Sequence, residues 1–286
     1  IQDLQEARIL LNEDPVKTEG GLSSGNAGES SNFLCYRALR LNYYAVTGLL
    51  ARVCLYAGQR ENAFNYSTEV IKASNNGIFP FVDRSLVNGT AQDPDRIFSP
   101  EVLFALSDSQ RGELFEEYFD PSLAPNMVFR METDLLEQTI YGGTGTGGNL
   151  DDYRCRSNWI SSGSARYFYK YSDMTESGRI ENTMIPLLRL GEMYLIAAES
   201  QSNSLANGVS YINTLRKNRG VSNLQTLTTT LLQYEYIREV YGEGQLFFMY
   251  KRMYSSIIRS NSATNNPAPS NAVFVVPLPD TETENR

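Results

Sequence analysis

Residues 185–203, IPLLRLGEMYLIAAESQSN, form the longest strongly patterned segment of the chain, and their reading decides the fold. Pro186 suits a first helical position, where its missing N–H costs nothing. From there Leu190, Met193, Tyr194, Ala197 and Gln201 recur at helical spacing, with Leu188, Glu192, Leu195, Ile196 and Glu199 as an adjoining stripe. Apolar surface thus runs over most of the circumference, which predicts a helix over 187–201 packed on several sides. Glu192 and Glu199 lie two turns apart on that face. This separation is too great for a shared substrate, so the two carboxylates are expected to pair with arginines, for which Arg189, Arg216, Arg219 and Arg238 are available.

A second helix is predicted over 205–218 after a short polar turn at 202–204, with Leu205, Val209, Ile212 and Leu215 facing inward. It ends in Arg216, Lys217, Arg219 and Gly220, cations followed by a glycine stop, and reads as a helix end rather than a ligand patch. The same plan occurs upstream. Leu50, Val53, Cys54 and Ala57 make one helical face, Gly58 stops that helix, and Ala63, Tyr66, Val70 and Ile71 make the next. Ala51, Gly58 and Ala63 lie where a tetratricopeptide-type hairpin lets its helices approach closely. A third run, entered by a capping box at Thr230 and Gln233, carries a buried stripe of Tyr236, Ile237, Val240, Tyr241, Phe247 and Phe248 interrupted by Gly242 and Gly244. The tail turns extended at Val273, Phe274, Val275 and Val276. At the other end, Ile1, Leu4, Arg8 and Leu11 share a helical face, so the chain opens as if in mid-helix.

Composition excludes several classes of function. A net charge of -8 over 286 residues argues against nucleic acid, and the absence of histidine removes the commonest general base and metal ligand. Cys35, Cys54 and Cys155 are too scattered for a disulfide framework or a zinc site and read as buried thiols. No segment reaches the ~20 apolar residues of a membrane-spanning helix. Neither cofactor nor metal is expected. Asp93, Asp95, Asp151 and Asp152 could supply calcium ligands, but their spacing fits no loop motif. Gly143, Gly145 and Gly148 formally satisfy GxGxxG, yet no strand-to-helix context surrounds them, and a mobile surface loop is predicted.

Function is expected in the long irregular insert, residues 75–184, between the two hairpins. Residues 101–107 (EVLFALS) read as a buried strand, residues 166–171 (RYFYKY) as a half-exposed one. The chain holds 18 tyrosines and one tryptophan. Tyr118, Tyr141, Tyr153, Trp159, Tyr167 and Tyr169 fall in the insert, and such rings suit stacking on sugars. Tyr118, Tyr141, Tyr153 and Trp159 are the candidate platform, with Arg154, Asn158 and Asp152 as candidate hydroxyl partners. A peptide or protein partner bound in a groove between hairpins is the alternative. A hydrolase acting through Glu116 and Glu117 is a third, weakened because neighbours on a helix diverge.

The order of these segments resembles the SusD/RagB family of outer-membrane nutrient-binding lipoproteins over essentially the whole chain. The carriers are RLGEMYLIAAE from Arg189 to Glu199, then Asn213, Leu215, Arg216, Arg219 and Gly220, then Arg238, Glu239, Glu243 and Gly244. Val240-Tyr241 replaces a Glu-Leu pair, Gln245 stands where arginine is common, and Pro279, Glu282 and Asn285 are more closely spaced than in the family. The resemblance implies a mainly α fold, a superhelix of tetratricopeptide-like hairpins with an irregular, partly β insert. Its expected divisions are a first hairpin at 32–74, the ligand-facing insert at 75–184, a second hairpin and following helix at 185–254 and an extended tail at 255–286. It further implies non-enzymatic capture of oligosaccharides at the outer-membrane surface and delivery to a SusC-like TonB-dependent transporter. The family's N-terminal part, with signal peptide and lipid-bearing cysteine, is expected upstream of Ile1. Cys35, inside the chain after a polar stretch, is not that cysteine.

Overall fold

The computed structural model describes residues 1–24, 32–88, 92–143, 145–201, 204–259, 261, 263–277 and 279. Residues 25–31 of the polar linker, Thr144, the turn at 202–203, Glu282 and Asn285 lie outside them. The chain is mainly helical, with small β-sheets. It opens with α1 (Gln2–Leu10) and the single turn α2 (Val16–Glu19), then forms the hairpin α3 (Tyr43–Tyr56) and α4 (Arg60–Asn75). Asn42 caps α3, its side-chain oxygen accepting from the Ala45 N–H at 2.9 Å. Gly58, left-handed at φ 76°, turns the chain into α4. Ala51 and Ala63 are fully buried, and their small side chains let the two helices close on each other.

The insert contributes β1 (Val102–Ser107), α5 (Arg111–Tyr118), β2 (Arg130–Glu132), a π-helical segment Leu135–Ile140, α6 (Tyr153–Asn158), β3 (Trp159–Ser162) and β4 (Ala165–Phe168). Then follow β5 (Met184–Arg189), α7 (Leu190–Glu199), α8 (Val209–Lys217) and α9 (Thr229–Val240). The helices stack in series: α1 on α3, α3 on α4, α4 and α3 on α7, α7 on α8. Every residue of α7 is buried, as its all-round apolar pattern requires.

Residues 185–189 correct the sequence reading. They are extended, and α7 starts only at Leu190. Met184, Pro186 and Leu188 are buried while Ile185 and Leu187 are half-buried, a period of two rather than 3.6. Pro186 sits opposite Ala105 in the two-stranded antiparallel sheet β1–β5, where it needs no N–H on the open edge. β1 needs a ladder partner for its buried backbone, and this pairing overrides the local helical pattern. Two further boundaries move. Leu205–Gly208 is a 3-10 turn ahead of α8, and the cap of α9 is Thr228, whose Oγ1 accepts from the Leu231 N–H at 3.2 Å, in place of Thr230.

The chain divides into two units, Ile1–Glu239 and Val240–Arg286, so the break falls inside the predicted third helical run. The second unit holds α10 (Leu246–Met253) and α11 (Asn271–Phe274). In α10, Met249 and Tyr250 are buried but Phe247 and Phe248 are partly exposed, where a buried stripe was predicted. α11 replaces the expected extended start of the tail: the Ser270 carbonyl accepts from the N–H groups of Val273 and Phe274, both at 3.1 Å. Phe274 packs at 6.1 Å from Phe247 and 6.0 Å from Tyr254.

Candidate functional site

Five arginines and four carboxylates of the first unit, all buried, meet in one cluster. Arg219 reaches Glu101 with both terminal nitrogens, at 2.7 and 2.6 Å, and Glu239 at 3.0 and 2.7 Å. Arg189 donates to Glu239 at 2.8 Å. Arg154 donates twice to Asp152, at 2.9 and 2.6 Å, then to Glu235 at 3.0 Å and to Glu239 at 3.1 Å. Glu235 also receives Arg216, and Arg238 at 3.1 Å. Phe98, held at a left-handed φ of 56°, lays its ring 4.5 Å from the Arg219 guanidinium carbon. Gly191 leaves the room for Glu239: a Cβ there would lie 2.1 Å from Glu239 Oε1.

Burial alone would raise the Glu239 carboxyl, but Arg219 and Arg189 hold it well below the usual carboxylate range. Glu235 is likewise held down, by Arg154, Arg238 and Arg216 against its burial. Carboxylates matched this closely are kept ionised and cannot serve as general acids. Glu192 pairs with an arginine as expected, but not with one of the four named. The arginines named from the sequence go to Glu101, Glu235 and Glu239, whereas Glu192 pairs with Arg52 at 2.6 Å and Glu199 accepts from the Tyr236 hydroxyl at 2.8 Å.

The glycine run is tied to this cluster. Arg216 donates to the Gly147 carbonyl at 2.8 Å and Arg238 to the carbonyls of Thr146, at 2.8 Å, and Ile140, at 2.9 Å. Thr146 is buried, so the predicted surface loop is in part an inner wall. The four aspartates proposed for calcium are separately engaged: Asp93 by Thr175, Asp95 by Ser99, Asp151 by Arg156 and Asp152 by Arg154. Among the described residues no three His, Cys, Asp or Glu side chains are grouped to hold a metal.

α6 links the cluster to the aromatic part of the insert. Asp152 at its start accepts from the Arg154 N–H at 2.9 Å, and its end runs straight into β3 at Trp159. β3 and β2 flank β4 in an antiparallel sheet. On one face Phe168 contacts Trp159 at 4.9 Å and Phe129 at 5.8 Å, and Phe119 closes over Phe129 at 5.7 Å and Phe168 at 6.0 Å. On the other face the aligned residues Arg130, Tyr167 and Ile160 form a row across the three strands, half-buried to exposed. Beside the sheet the Phe129 N–H donates to the Tyr118 carbonyl at 2.8 Å, which fastens the end of α5 to it. Tyr118 is 49% exposed, Phe129 43% and Met127 64%.

Of the six residues predicted to bind ligand, Tyr118 alone is open to solvent. Tyr141, Tyr153, Arg154, Asn158 and Trp159 are all less than a tenth exposed, so their faces are covered by neighbouring groups. Tyr141 lies against Arg238, Arg154 belongs to the ion cluster, and Trp159 backs Phe168. Asp152, the third hydroxyl partner, is likewise held by Arg154. The exposed Ile160 carried no sequence signal, because only strand pairing puts it beside Tyr167. Glu116 and Glu117 lie exposed on α5, and Glu117 accepts a hydrogen bond from Tyr118.

The sequence model of the SusD family matches residues 108–273, more than half of the chain. The chain belongs to the SusD family. Its fold agrees. A SusD superfamily protein from Bacteroides vulgatus superposes with a TM-score of 0.65 at 21% identity, over 99% of this chain and 61% of the other. A SusD-like carbohydrate binding protein from the same species gives a TM-score of 0.59 at 17% identity, over 99% and 62%. Surface glycan-binding protein A from Bacteroides thetaiotaomicron, solved in complex with laminarihexaose, gives 0.62 at 17%, over 99% and 67%. This SusD-family chain therefore spans less than two thirds of the length of the B. vulgatus proteins it matches. No curated protein matches its sequence.

Proposed function

We propose that this chain is the glycan-capturing part of a SusD-family protein at the bacterial cell surface, and that it holds sugars on the insert without cleaving them. Family membership supports the reading, since SusD proteins are non-catalytic glycan binders. The observation that carries it is the open face of the β2–β4–β3 sheet, where Tyr167 stands half-buried between Ile160 and Arg130, with Tyr118 exposed at the end of α5 beside the sheet. Flat rings with apolar faces and polar rims suit the two chemistries of a pyranose. Tyr118 is kept as a direct contact. The buried Trp159, Tyr141, Arg154 and Asn158 act from behind, fixing the sheet to the scaffold. The helical hairpins present this surface to a SusC-like TonB-dependent transporter, which takes the captured oligosaccharide. A lipid anchor upstream holds the assembly to the outer membrane.

The test is affinity electrophoresis of the purified chain in gels containing a panel of polysaccharides, with tryptophan fluorescence read in parallel. Trp159 is the chain's one tryptophan and lies 4.9 Å from Phe168, so it reports on the sheet. Retardation with a fluorescence change is expected for at least one polysaccharide. Silence across the panel would sink the glycan reading and favour a peptide partner.

A further inference from the structure

Lys217 belongs to the basic run at the end of α8, but its neighbours Arg216 and Arg219 are buried in ion pairs while Lys217 is exposed. It looks onto a cleft of about 340 Å³ lined by Val82, Arg84, Tyr153, Lys217, Asn218 and Gly220. This volume lies in the range of small-molecule sites. None of the six carries a carboxylate. Neither Arg84 nor Lys217 has an acid partner among the described residues, and the Tyr153 hydroxyl makes no hydrogen bond there. The nearest acid in sequence, Asp83, is turned to Ser85, accepting from its N–H at 2.7 Å and its hydroxyl at 2.5 Å. The floor is firm. The Tyr153 N–H donates to the Arg219 carbonyl at 2.9 Å, and the Tyr153 ring lies so close under Gly220 that a Cβ there would come within 2.4 Å of it.

We propose that this cleft takes the carboxylate of an acidic sugar, a hexuronate unit of a charged oligosaccharide. Two cations with no acid partner among the described residues and the Tyr153 phenol, gathered on one concave surface of a chain with a net charge of -8, form a site rich in donors and free of carboxylates. The planar guanidinium of Arg84 matches a carboxylate in two-point geometry, and Lys217 adds a point charge. A cleft of this volume suits a sugar ring better than a bare ion. The acidic remainder of the surface repels long polyanions, which favours a short acidic glycan over nucleic acid. The inference rests on the glycan-binding reading and names a second subsite for it.

The test is calorimetric titration of the purified chain with trigalacturonate, with the neutral trisaccharide of galactose and with inorganic sulfate, repeated for Lys217→Gln and Arg84→Gln. Both residues are exposed, and an unchanged thermal midpoint confirms that each variant folds. Trigalacturonate is expected to bind, to weaken about tenfold in each variant, and to outcompete sulfate. Equal affinity of the neutral and acidic trisaccharides, or variants that leave trigalacturonate unchanged, would overturn the proposal. Full displacement by equimolar sulfate would overturn the sugar in favour of a plain oxyanion site. Neutral polysaccharides that bind through Tyr118 while trigalacturonate does not would remove this cleft alone; no binding of any glycan would remove the wider reading with it.

Discussion

The ion cluster around Glu239 and the aromatic sheet around Phe168 meet the two ends of α6, and the structure treats them in opposite ways. The cluster is sealed from water, with Arg154, Arg189, Arg219, Glu101 and Glu239 all less than a tenth exposed. The sheet keeps its Trp159 and Phe168 face inside and leaves Ile160 open, with Tyr118 of α5 exposed beside it. The difference shows that charge density here serves the scaffold. Asp152 and Arg154 come from the insert, Arg189 from the end of β5, Arg219 from the turn after α8 and Glu239 from α9. Their mutual pairing stitches the insert to the helices. A buried cluster of this kind need not add net stability over an apolar core, but breaking it is costly, since each lost partner strands a buried charge. Tyr118 and Ile160 are exposed, so they can be exchanged at little cost to the fold.

The sharpest break of this contrast is Glu239→Gln, which leaves Arg189 and Arg219 short of a counter-charge. A loss of about 3–5 kcal/mol in urea unfolding is expected; a variant as stable as the parent would show the cluster to be dispensable. Acid should act on the same group. Glu239 titrates well below its unfolded value, which lies at about 4.3, so its contribution is complete above that pH and drains away as pH falls through the depressed folded value. The urea midpoint should hold from neutrality to about pH 5 and drop below about pH 4, with a shallower drop in Glu239→Gln. Constant stability down to pH 3 would contradict the arrangement.

Gly191→Ala comes next, since its Cβ would sit 2.1 Å from Glu239 Oε1. We expect a cost of about 1–3 kcal/mol, not additive with that of Glu239→Gln because the two positions touch. The smallest effect belongs to the open face. Tyr118→Ala and Tyr167→Ala should each lower glycan affinity about fivefold, roughly 1 kcal/mol per ring, while stability stays within about 0.5 kcal/mol. Unfolding on either substitution would erase the distinction between scaffold and surface.

Much of the scaffold was legible because its signals are local. The Gly58 turn, the small residues at Ala51 and Ala63, and the apolar circumference of α7 lie in contiguous sequence, and so do the strands at β1 and β4. Family membership was legible as well, for it rests on scaffold residues such as Arg189, Arg219 and Glu239. The site was less so. Tyrosine and tryptophan have the same chemistry whether buried or exposed, so Trp159 and Tyr141 looked as available as Tyr118.

By itself, then, the sequence determined the helical hairpins, the family and the acidic, histidine-free chemistry, since propensity, periodicity and composition need no distant partner. Only the tertiary structure decided that residues 185–189 are a strand, that Glu239 rather than Glu192 gathers the arginines, and which aromatic rings face water. Each of those outcomes depends on a partner far along the chain, Ala105 for Pro186, Glu101 for Arg219 and Arg238 for Tyr141, and no local pattern carries such a pairing.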